Sequence, residues 1–304
     1  MEKPLRGIVT PLVTPLLDND TIDSEGLERL IEHVINGGVS GIFVLGTTGE
    51  FASLSLQLRK ELIKKVCQTV KTRVPVLAGV SDSAFTESLN LAKQAADCGA
   101  DAVVLTPPYY FTPGQAELLE YLRRIMAHIP LPLFIYNMPV HTKVVFEPET
   151  VREAASIPGI TGMKDSSGNL EYFRQISQAL AGHPDFTFLI GPEELLAEFV
   201  MTGGHGGVSG GSNMFPKIYV RLYEAALKKD TRAVRDLQET ILKISAWIYR
   251  VGHFSSSYIK GIKCSLSLMG ICSDFMAEPF HRFREPERIK IEEILDKLNF
   301  HELL

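Results

Sequence analysis

The chain has 304 residues, 45% of them hydrophobic and 22% charged, an ordinary globular composition whose length suits one large α/β domain or two smaller ones. A net charge of −5 argues against a partner held through a phosphate backbone or an anionic membrane surface. The longest uncharged stretch, running from Phe199 past Ser212, is too rich in glycine for a membrane helix.

Four cysteines (Cys67, Cys98, Cys264 and Cys272) show no CxxC spacing and suit free thiols in a reducing compartment. The start MEKPLRGIVTP lacks the apolar core of a secretion signal, so the expected location is the cytoplasm.

Along the chain, short apolar runs alternate with longer amphipathic ones. The apolar runs are GIVTPLVTPL, GIFVLG, VPVLAGV, DAVVLTP, LPLFIYNMP, GITGMKD, FTFLIGP and GGVSGGSN. Each is rich in Val, Ile, Leu or Phe and stopped by Gly, Pro or Asn, the pattern of parallel strands buried on both faces. Between the first two, 24–36 carries Leu27, Leu30, Ile31, Val34 and Ile35 on one helical face. Asp23 or Ser24 caps its start and Gly37-Gly38 ends it. Ser55 opens a second helix with Leu58, Leu62, Ile63 and Val66 inward, and further helices are predicted over 85–98, 115–128, 148–156, 170–181, 193–202 and 216–229. About eight βα units in roughly 230 residues is the count of a (β/α)₈ barrel. An open doubly wound sheet is the rival, but the GxGxxG first turn common in that fold is absent. The division predicted is a barrel over 1–230 and a helical C-terminal extension over 231–304 packed on it.

In such a barrel, chemistry sits where strands end at their carboxyl side. Lys164 ends the sixth run, where partial desolvation favours the neutral amine that attacks carbonyls; a solvated lysine, or one paired with Asp165, is the plainer reading. Tyr136 ends the fifth run and can relay protons, or simply pack. The turn Gly46-Thr47-Thr48-Gly49-Glu50 offers two hydroxyls and successive N–H groups to a small carboxylate. The glycines of 203–211 allow a ligand to approach the backbone, or simply make a tight turn. The eight histidines are scattered without metal-binding spacing, so neither metal nor cofactor is expected.

Taken in order, GIVTPLVTP, GTTGE, TPPYY, YNMP, GMKDSSGN and GGHGGVSGGSN resemble the dihydrodipicolinate synthase/N-acetylneuraminate lyase family. The resemblance spans nearly the whole chain. It implies a class I (β/α)₈ lyase that binds pyruvate, or a 2-oxo acid that yields pyruvate, as a lysine Schiff base. Carried over by position, Lys164 is the Schiff-base lysine, Tyr136 the proton shuttle, and Thr47 and Thr48, beside Gly46, the carboxylate-binding pair. Tyr110 is the tyrosine that reaches a neighbouring subunit's site, in a homodimer or homotetramer. Val208 is the last-strand residue whose carbonyl faces the substrate.

The resemblance also separates branches. Where the synthases hold aspartate semialdehyde with Arg, two residues after the YNMP proline, this chain has His141, which lacks the bidentate grip. Phe111 replaces a residue that is often polar in the synthases. Gly191, Glu193 and Glu194 follow the seventh strand, where the neuraminate lyases bind sugar hydroxyls, although acids there also suit a helix start. Ser166 and Ser167 lie just behind the lysine. The favoured substrate is thus a hydroxylated 2-keto-3-deoxy sugar acid or a sialic acid. The alternatives are 4-hydroxy-tetrahydrodipicolinate synthesis and a catalytically silent barrel that binds a 2-oxo acid.

Overall fold

The computed structural model describes residues 1–299 and Leu303. β1 (Gly7–Pro11) is followed by a hairpin of β2 (Leu16–Asp18) and β3 (Thr21–Ile22). Helix α1 (Ser24–Asn36) then leads to β4 (Gly41–Val44), α2 (Leu56–Val70) to β5 (Val76–Gly79), and α3 (Phe85–Asp97) to β6 (Ala102–Leu105). After α4 (Gln115–Met126) comes β7 (Leu133–Asn137), and α5 (Pro139–Thr142) and α6 (Pro148–Ala155) precede β8 (Ile160–Asp165). The ring is completed by α7 (Leu170–Ala179), β9 (Thr187–Ile190), α8 (Leu196–Met201), β10 (Gly206–Gly207) and α9 (Pro216–Leu227). The eight strands other than β2 and β3 pair in parallel, in chain order, and β10 returns to β1 to close a barrel.

The barrel puts alternate residues into two different cores. Val9, Phe43, Leu77, Val104, Phe134, Tyr136 and Leu189 fill its interior, while Ile8, Ile42, Val44, Leu133 and Ile135 pack outward under the helices. Both faces are buried, which is why the strands read as unbroken apolar runs. Gly162 has no room for a Cβ beside the Phe134 ring, so a glycine is required on β8 at that level.

Local chemistry sets the helix ends. Asp23, rather than Ser24, caps α1 by accepting from the Gly26 N–H at 2.9 Å, and Gly38 turns the chain out at φ +86°. Ser55 caps α2 through the Leu58 N–H at 3.1 Å. Three expected boundaries move. The first apolar run stops at Pro11 instead of continuing to Leu16, because Pro11 and Pro15 lack the N–H a ladder needs. The predicted helix 193–202 divides into a 3₁₀ turn at Glu193–Leu195 and α8. Of the last run only Gly206–Gly207 is strand, and Gly210–Asn213 forms a 3₁₀ turn.

Beyond Asp230, which caps it, lie α10 (Thr231–Trp247), α11 (Ser257–Leu268) and α12 (Glu285–Lys297). Helix α10 packs on α9, and α11 lies between the 3₁₀ turn at 210–213 and α12. All four cysteines are free. Among the described residues no helix is long and apolar enough to cross a membrane.

Candidate active site

Lys164 lies on β8 directly opposite Tyr136 on β7, and both side chains point into the barrel. The lysine Nζ is 4.1 Å from the Tyr136 ring centroid and 5.1 Å from that of Phe43. Both residues are almost wholly buried, at 6% and 3% exposure. The Tyr136 hydroxyl is 3.3 Å from the Thr47 hydroxyl, with Ser166 and Lys164 also within hydrogen-bonding reach. Burial alone would push the phenol upward. The Lys164 charge and the hydrogen bonds from Thr47, Ser166 and Lys164 outweigh it and hold Tyr136 below the ordinary tyrosine value.

Asp165 does not pair with Lys164. Strand alternation turns it outward, where it accepts from Asn137 Nδ2 at 2.7 Å, from the Ser167 N–H at 3.1 Å and from the Ser167 hydroxyl at 2.8 Å. Burial raises its pKa against those bonds. Gly191 leaves no space for a Cβ beside the Ser166 hydroxyl, so the glycine lets Ser166 stand next to Tyr136.

The Gly46–Glu50 turn is tightened by the Gly49 N–H on the Gly46 carbonyl at 3.1 Å and by the Thr14 hydroxyl on the Gly49 carbonyl at 2.7 Å. Glu50 sits at φ 59°, and its carboxylate is bound inside the protein. One oxygen accepts from Lys263 Nζ at 2.6 Å and the other from the Ala277 N–H at 2.9 Å. The C-terminal extension therefore anchors the turn that presents Thr47 and Thr48. The Thr48 hydroxyl lies within hydrogen-bonding reach of the Tyr258 phenol from α11.

Above this group opens a cavity of about 330 Å³. Thr47 belongs to both, since it lines the cavity and bonds Tyr136. The walls include Phe51, Thr106, Tyr109, Met138, Ile259 and Phe280, with the hydroxyl-bearing residues Ser53, Ser255, Ser256 and Tyr258. The Thr106 hydroxyl is buried without a partner among the described residues. Among the described residues no arginine or lysine lines the cavity. His141 does, and desolvation followed by the nearby Lys143 charge lowers its pKa, leaving a neutral imidazole at pH 7.

Other residues singled out in the sequence lie elsewhere. Val208 belongs to the interior cluster and donates its N–H to the Ile190 carbonyl at 2.7 Å. Tyr110 is 81% exposed, stacked edge-to-face on the equally exposed Phe111, and does not line this cavity; its neighbour Tyr109 does. Glu193 and Glu194 are turned away from the cavity. Glu193 is buried against Tyr219, Tyr249 and the Gly211 N–H, and Glu194 accepts from Ser245. In the 3₁₀ turn after β9 Glu193 meets Tyr219 of α9 and Glu194 meets Ser245 of α10. Tyr258 and Ser256, which line the mouth, carry no mark in the sequence that distinguishes them from helix-face residues.

Residues 4–298 match the model of the dihydrodipicolinate synthetase family. A 4-hydroxy-tetrahydrodipicolinate synthase of Methanosarcina mazei is 34% identical over 97% of this chain and 99% of its own. A DapA-like lyase of Halobacterium salinarum is 32% identical over 95% and 92%. The structure of dihydrodipicolinate synthase from Bacteroides thetaiotaomicron superposes with a TM-score of 0.96 at 57% identity, covering 98% of this chain and 100% of that one. That of YagE, an E. coli K12 prophage protein of the same family in complex with pyruvate, gives 0.92 at 29% identity over 98% and 99%. The chain belongs to the dihydrodipicolinate synthetase family and is an enzyme of its class I lyase and synthase type.

Proposed function

We propose that Lys164 forms a Schiff base with pyruvate or with a 2-oxo acid that yields it, and that the enzyme cleaves or forms the adjacent carbon–carbon bond. The observation that carries this reading is the buried Lys164 amine against Tyr136, whose hydroxyl meets Thr47 at 3.3 Å. The neutral amine adds to the ketone carbon, and Tyr136 returns a proton to the hydroxyl that leaves as water. In the resulting iminium, the C3–C4 bond of a longer acid breaks toward nitrogen. The C4 hydroxyl proton passes to the tyrosinate and an aldehyde departs. Protonation of the enamine at C3 and hydrolysis release pyruvate. Thr47 and Thr48 hold the carboxylate so that the ketone stays aligned.

For the distal part of the substrate we favour a hydroxylated, uncharged chain, as in a 2-keto-3-deoxy sugar acid or a sialic acid. The support is the cavity wall, with several hydroxyls, a neutral His141 and, among the described residues, no guanidinium. The acids expected to bind sugar hydroxyls face the other way, so Ser53, Ser255 and Ser256 take that role. A second reading, condensation of pyruvate with aspartate semialdehyde, is favoured by the relatives named as synthases. In both readings Tyr110 serves a neighbouring subunit of a cytoplasmic homodimer or homotetramer, where its exposed ring finds cover.

Borohydride reduction in the presence of pyruvate, followed by peptide mass spectrometry, tests the chemistry. A pyruvate-derived adduct on the Lys164 peptide, absent from Lys164→Ala, is the expected result. Its absence from the wild type sinks the reading. Turnover of 2-keto-3-deoxygluconate and N-acetylneuraminate against that of pyruvate with aspartate semialdehyde then decides the branch.

A further inference from the structure

Glu193 is an ionisable group sealed within the protein, and burying a carboxylate costs several kcal/mol unless donors meet it. Here three do, from separate segments. Oε1 accepts from the Tyr219 hydroxyl of α9 and from the Tyr249 hydroxyl just past α10, both at 2.6 Å, and Oε2 accepts from the Gly211 N–H at 2.9 Å. The Tyr249 ring stands edge-to-face against Tyr258, with centroids 4.7 Å apart. Tyr258 lines the substrate cavity and reaches the Thr48 hydroxyl.

The adjacent glycines explain how three phenols crowd into one place. A Cβ on Gly210 would collide with the Tyr258 hydroxyl, and one on Gly211 with those of Tyr219 and Tyr249. The space these glycines leave is occupied by tyrosines, where the sequence suggested a ligand. A continuous chain of contacts thus runs from Glu193 through Tyr249 and Tyr258 to Thr48.

We propose that Glu193 is a positioning residue: it fixes Tyr249, and through it Tyr258, so that the Thr48 hydroxyl is held where the carboxylate of the 2-oxo acid binds. This role rests on the reading of the site as a 2-oxo-acid Schiff-base centre. An apolar side chain would pack into the same space without desolvating a charge, but it could not accept two phenolic protons and the Gly211 N–H together. The ionisable groups facing Glu193 are Tyr219, Tyr249, Tyr258 and its own neighbour Glu194. Burial and then Glu194 raise its pKa to about 7, against the three hydrogen bonds, so acid converts the acceptor into a donor near neutrality.

The test is borohydride trapping of pyruvate by the full-length protein across neutral pH, comparing wild type, Glu193→Gln and Tyr258→Phe. Glutamine keeps the volume and loses one acceptor. At mildly alkaline pH, Glu193→Gln should raise the half-saturating pyruvate concentration about five- to tenfold, the scale of one hydrogen bond to a charged group, with the limiting trapping rate within about twofold. Tyr258→Phe should weaken pyruvate in the same sense. The ratio of Glu193→Gln to wild type should fall toward one as the wild-type acid protonates below neutrality. Wild-type trapping with an unchanged half-saturation in Glu193→Gln at every pH overturns the positioning role and leaves the Schiff-base reading standing. No adduct in the wild type overturns both.

Discussion

Lys164 and Tyr136 are register partners on adjacent parallel strands, and the amine of one lies 4.1 Å from the ring of the other. Strand pairing, rather than a loop, therefore fixes the two groups to which the chemistry is assigned. Ser166, one residue past β8, completes the surroundings of the phenol.

Tyr136→Phe should keep the barrel and leave Lys164 in place, since the ring's packing on Phe43 survives loss of the hydroxyl. Adduct formation with pyruvate should slow by about 10²–10⁴-fold, the range for removing a positioned acid–base group. Rapid trapping within a few-fold of wild type would move the proton relay elsewhere.

The Glu50–Lys263 pair is fully buried, with side-chain exposures of 1% and 0%. Glu50→Gln or Lys263→Met alone should destabilise the protein by about 3–5 kcal/mol in denaturant unfolding, because each leaves a buried charge unmatched. The double variant should recover a large part of that loss. Single variants within about 1 kcal/mol of wild type would show that the pair is not the anchor described.

Glu193 gives a pH effect with a defined sign. Its folded-state value of about 7 lies above the ordinary 4.5, so between these values the folded chain holds more proton than the unfolded one. Its contribution to stability is complete below the unfolded value and is lost as pH rises through the folded one. The unfolding free energy of wild type minus that of Glu193→Gln should therefore decline from about pH 5 to neutrality and then flatten. A difference that rises over that window would show the carboxylate is preferred in its ionised form.

His141→Arg addresses the branch. A guanidinium at this point of the cavity wall offers bidentate contact to a second carboxylate. Condensation of pyruvate with aspartate semialdehyde should gain at least about tenfold in kcat/KM, and cleavage of hydroxylated 2-oxo acids should drop. Efficient condensation by the wild type, unchanged by the substitution, would favour the synthase reading.

The barrel was legible because two-sided burial leaves no polar alternation in its strands, so each of the eight runs stood out from the amphipathic helices. Lys164 was legible from its place at the end of such a run. The direction of Glu193 was not. Sequence marks it as an acid at a helix start, but the donors that hold it, Tyr219 and Tyr249, lie 26 and 56 residues downstream. Tyr219, Tyr249 and Tyr258 come from three separate segments, and no periodicity announces that they meet. Glu50 read as part of the carboxylate-binding turn, yet its partner lies 213 residues downstream.

That last separation orders the protein's birth. At ribosomal rates of roughly 5–20 residues per second, Lys263 emerges about 10–40 s after Glu50. Until then the turn carrying Thr47 and Thr48 has an acid that water must solvate, although every strand of the barrel has already been made. A message truncated before α11 would yield a chain that still holds Lys164 and Tyr136 but lacks the lysine that anchors the Thr47–Thr48 turn.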